Sequence, residues 1–218
     1  LLATYERLKF LKDAFERRKF HPSRNLGQNF LIDPNLADFI VRQAALGPED
    51  IVLEVGGGTG LLTSRLAAVA GRVFSVEIDR RLAALAREQL SGRENVEIIE
   101  ADILESKLRL NPVVVDRVRA ALAPDQKVVV VSNLPYNIAA PLIMDLLAGN
   151  YLLVRPEEAT PALRIDRMVL TVQWEVADRL ASPPGRRAFG VISVLAQALA
   201  HVEILRRVPP QIFWPRPK

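Results

Sequence analysis

The pattern of apolar and polar residues along the chain differs before and after residue 51. Beyond it, short apolar runs, typical of buried strands, alternate with segments in which apolar residues recur every three or four positions, as in amphipathic helices. The runs predict strands at residues 51–55, 73–78, 96–100, 127–132, 168–173 and 202–208. The segments between them predict helices at residues 60–70, 80–90, 112–122, 140–148, 175–181 and 191–199. This alternation predicts an α/β fold with a mostly parallel, doubly wound sheet.

The first fifty residues follow a different pattern. A helix is expected over residues 2–19, where Leu8, Leu11 and Phe15 share one face, and a polar, turn-rich stretch follows at residues 21–30. Asp33 followed by Pro34 is a typical helix start, and Gly47 with Pro48 marks the end of that helix.

The net charge of +4 is concentrated at one end of the chain. Residues 1–24 carry seven basic side chains, among them Arg17, Arg18, Lys19 and Arg24, against three acidic ones, so this segment alone has an excess of 7 − 3 = +4. A basic helical arm over residues 1–24 suggests a polyanionic partner such as nucleic acid. A solvated basic helix without a partner is the alternative.

Composition narrows the function classes. The chain contains no cysteine and only two histidines, which are far apart, so we expect neither a metal site nor a histidine base. No run of eighteen apolar residues is present, so no membrane span is expected. These features fit a cytoplasmic protein, and the lack of an obvious second apolar face favours a monomer.

Three ligand-like features follow three successive predicted strands. Residues 54–60 (EVGGGTG) form a glycine-rich loop after the first strand, which lets the backbone approach a ligand closely. Glu77 ends the second strand, where a carboxylate can accept hydrogen bonds from ribose hydroxyls, and Asp102 follows the third strand. Alone, the loop would fit a plain turn and Asp102 a helix cap; together they favour a nucleotide-like ligand.

A fourth feature narrows the chemistry. The fourth predicted strand leads into Asn133-Leu134-Pro135-Tyr136, which resembles the motif of methyltransferases that act on exocyclic nitrogen. The N6 lone pair of adenine is delocalised into the ring and is a poor nucleophile. The side-chain oxygen of Asn133 and the backbone carbonyl of Leu134 can accept its hydrogens and hold the nitrogen in line for attack. Tyr136 can stack on a base that has left its helix, and Pro135 stiffens the turn.

These motifs, taken in order, resemble those of the ribosomal RNA adenine dimethyltransferases, the KsgA/Dim family that also includes the Erm resistance enzymes. The resemblance covers roughly residues 20–218. It rests on the four features above and on four further segments: residues 25–33 (NLGQNFLID), 173–180 (QWEVADRL), 190–193 (GVIS) and 213–218 (FWPRPK).

The resemblance implies a Rossmann-like, S-adenosylmethionine-dependent methyltransferase domain over residues 25–218 that needs no metal. Its targets would be two adjacent adenines in a hairpin loop near the 3′ end of 16S rRNA, within the nascent small subunit. The cofactor-binding residues it implies are Asn29, Leu31, Gly56, Gly58, Glu77, Asp102 and Asn133. Asn133, Leu134, Pro135 and Tyr136 would serve the target base, and Phe213 would stack on its other side. We assign Arg17, Arg18, Lys19 and Arg24 to rRNA contact.

The chain departs from the family pattern at three places. Gly57 stands where most members have proline, which should loosen the glycine loop. Residues 106–126 and 150–165 are longer than expected and are interpreted as surface insertions. Since the family continues beyond the position of Lys218 with a last sheet strand and a small helical domain, we expect this chain to lack both.

Three alternatives remain. One is an Erm-type 23S rRNA methyltransferase, which shares the architecture. Another is a non-catalytic assembly or transcription factor on the same fold, although the intact Asn133 and Tyr136 favour an enzyme. A NAD-binding oxidoreductase is the third, and it would leave residues 133–136 unexplained.

Overall fold

A computed structural model describes residues 2–23, 25–106, 109–124, 126–149 and 163–217. Its helices are α1 (Leu2–Arg17), α2 (Pro34–Ala44), α3 (Leu61–Leu66), α4 (Arg80–Gln89), α5 (Pro112–Ala120), α6 (Ala139–Gly149), α7 (Trp174–Ala181) and α8 (Val191–Leu199). Its strands are β1 (Phe30–Leu31), β2 (Ile51–Val55), β3 (Arg72–Glu77), β4 (Val96–Glu100), β5 (Leu104–Ser106), β6 (Arg109–Leu110), β7 (Val128–Asn133), β8 (Ile165–Thr171) and β9 (Phe213–Trp214).

The main sheet of the described chain has five parallel strands in the order β4-β3-β2-β7-β8. The chain builds outward from β2 to β3 and β4, then returns to place β7 on the other side of β2. The order of the strands therefore reverses between β2 and β7, and ligands bind at such a point in open α/β sheets. Every residue of β2 is buried, because helices cover both faces of the sheet.

The two faces of the sheet form separate cores. Leu53 and Val130 point to one face and pack with apolar residues of α5, α6, α7 and α8. Val52 and Val129 point to the other face and pack with α2 and α3. The doubly wound sheet predicted from the sequence is confirmed.

Polar caps define where several helices begin. The side chain of Asp33 accepts hydrogen bonds from the amides of Asn35 and Leu36, and Pro34 occupies the first turn of α2. Asn111 caps α5 in the same way, again with a proline in the first turn. The predicted start of α2 is confirmed, and the helix ends at Ala44.

Helix α1 packs onto the domain. Leu11, Ala14 and Phe15 are buried in a cluster with Leu82 and Leu85 of α4. The ring of Phe15 lies edge-on to Phe20 and Phe30, at centroid distances of 4.5 and 5.3 Å. The boundary drawn after residue 24 stays a prediction, but the helix on its N-terminal side shares a core with the rest of the chain.

A two-stranded ribbon joins distant parts of the chain and was not predicted. Strand β1 pairs antiparallel with β9, with Phe30 opposite Trp214 and Leu31 opposite Phe213. Each strand has only two residues, which is too short for a periodic signal. The ring of Trp214 contacts Phe15 at a centroid distance of 5.5 Å, so the ribbon also supports α1.

Two expectations on the second half of the chain are wrong. Residues 202–208 form no strand, and Ile204 and Leu205 are 39% and 45% exposed. A strand needs a hydrogen-bonding neighbour, and β8 has only β7 beside it in the described part of the sheet. Residues 106–126 are also more than a surface insertion, because α5 buries Val114 and Val118 in the main core. Of the other expected insertion, residues 150–162 lie outside the described residues.

Within the described segments, no helix is both long enough and apolar enough to cross a membrane.

The position of Phe15 gives a first prediction. Phe15→Ala removes a buried ring that joins α1 to α4 and to the β1–β9 ribbon, so we expect the free energy of unfolding to fall by about 3–5 kcal/mol. Denaturant titration measures this loss. Tyr5→Ala, an aromatic residue of the same helix that is 66% exposed, is the matched control and should change stability little. Equal losses in both variants would mean that α1 is not packed as described.

Candidate active site

A crevice opens where β2 and β7 separate. Their backbone pairing runs from Ile51 with Val128 to Leu53 with Val130. Beyond that pair the amide of Val55 donates instead to the side-chain oxygen of Ser132, at 2.7 Å. A side chain has replaced a ladder hydrogen bond, so the two strands diverge while remaining joined. The loops that follow them form the walls of the crevice.

The glycine loop is held close to the end of β3. The amides of Gly56 and Gly57 both donate to the carbonyl of Val76, at 2.8 and 3.3 Å. A Cβ atom on Gly57 would lie 2.0 Å from the side-chain oxygen of Ser75, which no side chain could tolerate without movement. Proline at this position would also lack the amide that donates to Val76. Gly57 is therefore matched to Ser75 in this chain and is anchored by hydrogen bonds.

A buried carboxyl group lies behind this loop. Oε2 of Glu54 accepts hydrogen bonds from the hydroxyls of Thr63 and Ser75, at 2.5 and 2.7 Å. Burial raises the pKa of Glu54 from 4.5 to about 7; the two hydroxyls oppose this shift and the nearby charge of Glu77 adds to it. The group therefore keeps much of its proton up to neutral pH and ties α3 and β3 to the end of β2.

Helix α1 reaches the same loop from outside. One guanidinium nitrogen of Arg7 donates to the carbonyl and to the hydroxyl of Thr59, at 3.2 and 2.9 Å. Burial, with a contribution from the positive charge of Arg65, lowers the pKa of Arg7 to about 10. The contact holds the outer end of the glycine loop.

Two acids lie at the ends of the next strands. Glu77 is buried and lines the crevice, and its two oxygens accept hydrogen bonds from the amides of Gly58 and Asp79, at 2.9 and 2.8 Å. Burial raises the pKa of Glu77, and the backbone hydrogen bonds oppose that shift. Asp102 lines the crevice after β4, where one of its oxygens accepts the amide of Leu104 at 3.0 Å. Each carboxyl oxygen can accept more than one hydrogen bond, so both groups can still bind ligand hydroxyls or amines.

Asn133 is fixed on both sides of its amide group. Its Nδ2 donates to the carbonyl of Asn29 at 3.0 Å, and its Oδ1 accepts from the hydroxyl of Thr171 at 2.7 Å. The amide therefore has one defined orientation at the carboxyl end of β7.

The second wall of the crevice consists of two segments that are more than a hundred residues apart. Nδ2 of Asn137 donates to the carbonyl of Asn25 at 3.2 Å. A Cβ atom on Gly27, whose φ is +62°, would lie 3.0 Å from the amide of Tyr136. Residues 25–29 therefore lie directly against residues 133–137, and a side chain at position 27 would force them apart.

Most of the predicted site residues come together. Those that line the crevice are Asn29, Gly56, Gly58, Glu77, Asp102, Asn133, Leu134 and Pro135. Leu31 and Tyr136 lie outside its lining; Leu31 is buried in the core against α2, and Tyr136 is half-buried. Phe30 and Ile78 are among several apolar side chains that line the crevice and were not predicted. Their position beside Asn29 and Glu77 in sequence was the available signal.

The residues assigned to RNA contact have different surroundings. Arg17 and Lys19 are exposed. Arg18 forms an ion pair with Glu88 and also donates to the carbonyl of Ala14. Arg24 lies outside the described residues.

The expectation for Phe213 is wrong for this arrangement of the chain. Its ring is 7% exposed and belongs to the core beside α2 and α3, so it cannot stack on a target base. Pairing of β9 with β1 directs Phe213 into that core.

The strand order and the crevice at the reversal point define a Rossmann-like fold, and the methyltransferases among the solved structures share it. Residues 19–218 match the ribosomal RNA adenine dimethylase family, and the chain belongs to that family. It is 41% identical over 195 residues to a ribosomal RNA small subunit methyltransferase A of Halothermothrix orenii. The matched region covers 89% of this chain and 59% of the relative. It is 38% identical to the protein of the same name from Alkaliphilus metalliredigens, covering 95% of this chain and 66% of the relative. The chain thus spans about three-fifths to two-thirds of these curated relatives.

Solved structures agree on the fold. A dimethyladenosine transferase from Plasmodium falciparum aligns with a TM-score of 0.66 and 27% identity, covering 85% of this chain and 58% of that one. The 23S rRNA methyltransferase ErmE aligns with a TM-score of 0.65 and 31% identity, covering 87% and 66%. The TM-scores therefore do not separate the dimethyladenosine transferase from ErmE as the better structural match.

The buried Glu54 gives a second prediction. Its folded-state pKa of about 7 exceeds the ordinary 4.5, so its protonated form contributes stability that is complete below pH 4.5 and is lost as the pH rises to about 7. The loss amounts to roughly 3 kcal/mol over this window. Glu54→Gln keeps the hydrogen-bond acceptor but cannot ionise, so its free energy of unfolding should fall less than that of the wild type between pH 4.5 and 7.

Denaturant titration at several pH values measures this difference. Glu49→Gln, at an exposed position, is the control and should follow the wild-type profile. Parallel profiles for the wild type and Glu54→Gln would contradict the role given to the buried carboxyl.

Proposed function

We propose that this protein uses S-adenosylmethionine to dimethylate N6 of two adjacent adenosines in a hairpin loop near the 3′ end of 16S rRNA, during small-subunit biogenesis. The observation that carries the proposal is Asn133, whose amide is held in one orientation at the mouth of a crevice that also contains Glu77. The names of the curated relatives support the small subunit as the substrate.

The residues of the crevice fit the cofactor. Glu77 is a buried carboxylate acceptor suited to the two ribose hydroxyls, and Asp102 suits the adenine amino group. Gly56 and Gly58 allow the backbone to approach the ligand, and Asn29 lines the opposite side. Leu31 stays a proposed cofactor contact through its backbone, and Phe30 beside it lines the crevice. When bound, S-adenosylmethionine supplies the methyl group as an electrophilic sulfonium.

Asn133 and Leu134 would then hold the target nitrogen. Oδ1 of Asn133 has a second lone pair beyond the hydrogen bond from Thr171, and it can accept one N6 hydrogen. The backbone carbonyl of Leu134 can accept the other. Accepting these hydrogens keeps the nitrogen lone pair directed toward the methyl group and relieves positive charge as the N–C bond forms. After each transfer the methylated nitrogen is positively charged, and it releases one proton to solvent to give the neutral amine.

Two further parts of the proposal concern RNA. Pro135 lines the crevice and stiffens the turn, which leaves Tyr136 to stack on the extruded base as it enters. Arg17 and Lys19 are exposed and would contact rRNA phosphates, whereas Arg18 forms an ion pair with Glu88. We propose a monomer as the working form.

Methyl transfer tests the proposal. Labelled S-adenosylmethionine is incubated with the full-length protein and unmethylated small subunits, and in parallel with naked 23S rRNA. We expect label in 16S rRNA, recovered as N6,N6-dimethyladenosine. Label in 23S rRNA alone would assign the Erm type, which the likeness to ErmE keeps as the second candidate. Cofactor binding without transfer to either RNA would favour a non-catalytic assembly factor.

In the same assay, Asn133→Ala should reduce turnover by a factor of about 100 or more, because preorganised polar contacts to the reacting group are lost. Asn35→Ala, at an exposed position of α2, is the matched control and should remain active with the same thermal stability. Near-normal turnover of a folded Asn133→Ala variant would contradict the mechanism.

A further prediction concerns the salt dependence of RNA binding. Replacing Arg17 and Lys19 together with glutamine should reduce the slope of log K against log salt concentration by about 1–2, because each lost phosphate contact removes somewhat less than one released counterion. Binding to small subunits is measured between low and physiological salt. Arg18→Gln, on the same turn but paired with Glu88, is the internal control and should keep most of the slope. An unchanged slope in the double variant would make α1 a solvated basic helix.

A further inference from the structure

Thr171 contacts Asn133 from behind the crevice. It is the last residue of β8, the outermost strand in the described part of the sheet, and lies in register with Asn133 of β7. Its hydroxyl oxygen is 2.7 Å from Oδ1 of Asn133. Thr171 does not itself line the crevice.

The donor in this hydrogen bond follows from the other side of the amide. The carbonyl of Asn29 can only accept, so the Asn133 atom that faces it at 3.0 Å must be Nδ2. Oδ1 of Asn133 therefore faces Thr171. Since an amide oxygen can only accept, the hydroxyl of Thr171 is the donor. A carbonyl and a hydroxyl together prevent the amide from flipping.

Thr171 also holds the neighbouring backbone. Its carbonyl accepts a hydrogen bond from the amide of Leu134 at 3.1 Å. The two groups proposed to bind the N6 hydrogens, Oδ1 of Asn133 and the carbonyl of Leu134, thus belong to residues that are each hydrogen-bonded to Thr171. The side chain of Leu134 is buried, which limits its movement further.

We infer that Thr171 is a positioning residue for methyl transfer: its hydroxyl fixes the Asn133 amide with the oxygen available to the target nitrogen, and its carbonyl fixes the turn at Leu134. This inference rests on the proposed function. Without the hydroxyl, Oδ1 loses a fixed donor, and only Asn29 opposes rotation of the amide. The substrate would still bind, because Thr171 lies behind the crevice, but the target nitrogen would be held in the reactive orientation less often.

Thr171→Val tests this role, because valine keeps the shape and the β-branch of threonine and preserves the backbone carbonyl but removes the hydroxyl. In the full-length protein we expect kcat to fall about fivefold to tenfold, the effect of losing one ordinary hydrogen bond. The KM for small subunits and the Kd for S-adenosylmethionine should stay within twofold of the wild type. Thr171→Ser restores the hydroxyl and should recover kcat to within twofold.

A second measurement does not depend on turnover. In ¹⁵N-labelled protein without RNA, Thr171→Val should shift the side-chain amide signals of Asn133 and accelerate their hydrogen exchange, whereas Thr171→Ser should leave them close to the wild type. Unchanged Asn133 signals in Thr171→Val, or equal kcat in valine and serine variants, would overturn the inference. If the wild type transfers no methyl but the Asn133 signals respond as expected, the proposed function fails and the positioning contact stands.

Discussion

The structure depends on the separation of β2 and β7 at the point where the strand order reverses. The amide of Val55 leaves the backbone ladder and is satisfied by the side-chain oxygen of Ser132. An unsatisfied amide at this depth would be costly, so the side-chain acceptor is what allows the strands to diverge. The glycine loop and residues 133–137 can then face each other across a crevice. They stay close, since a Cβ atom on Gly56 would lie 3.1 Å from the ring of Pro135.

The charge balance around the crevice follows from the same arrangement. Glu54 is the last residue but one of β2, Glu77 ends the adjacent strand β3, and two buried carboxyls would repel each other if both were ionised. Glu54 keeps its proton to near neutral pH and acts as a hydrogen-bonding tie for Thr63 and Ser75. Glu77 receives the backbone amides of Gly58 and Asp79, which favour its ionised form. Glu54 therefore stabilises the fold, whereas Glu77 lines the crevice and is available to a ligand.

Local patterns predicted the parts of the fold that depend on local chemistry. Strands β2 and β4 and helix α8 have the predicted bounds, because apolar period, glycine and proline mark them directly. The β1–β9 ribbon depends on a contact between residues about 180 positions apart, and no local pattern encodes it. For the same reason the local pattern does not show that the side chains of Leu31 and Phe213 are directed into the core. Residues 202–208 carry the β-branched residues Val202, Ile204 and Val208, as a strand would, but composition shows only what a segment can form when a neighbour is present.

The basic N-terminal helix α1 is packed against residues that form the crevice. It carries Arg17 on an exposed surface and Arg7 against Thr59 of the glycine loop. Its core residue Phe15 contacts Phe30, which lines the crevice. A packed helix moves as a unit, so a displacement of α1 at Arg17 would also shift Phe15 against Phe30 and Arg7 against Thr59. The basic residues of α1 and the glycine loop look like independent features in the sequence. In the structure, contacts of Arg7 and Phe15 connect them. In the proposed function, RNA binding and the shape of the crevice depend on the same helix.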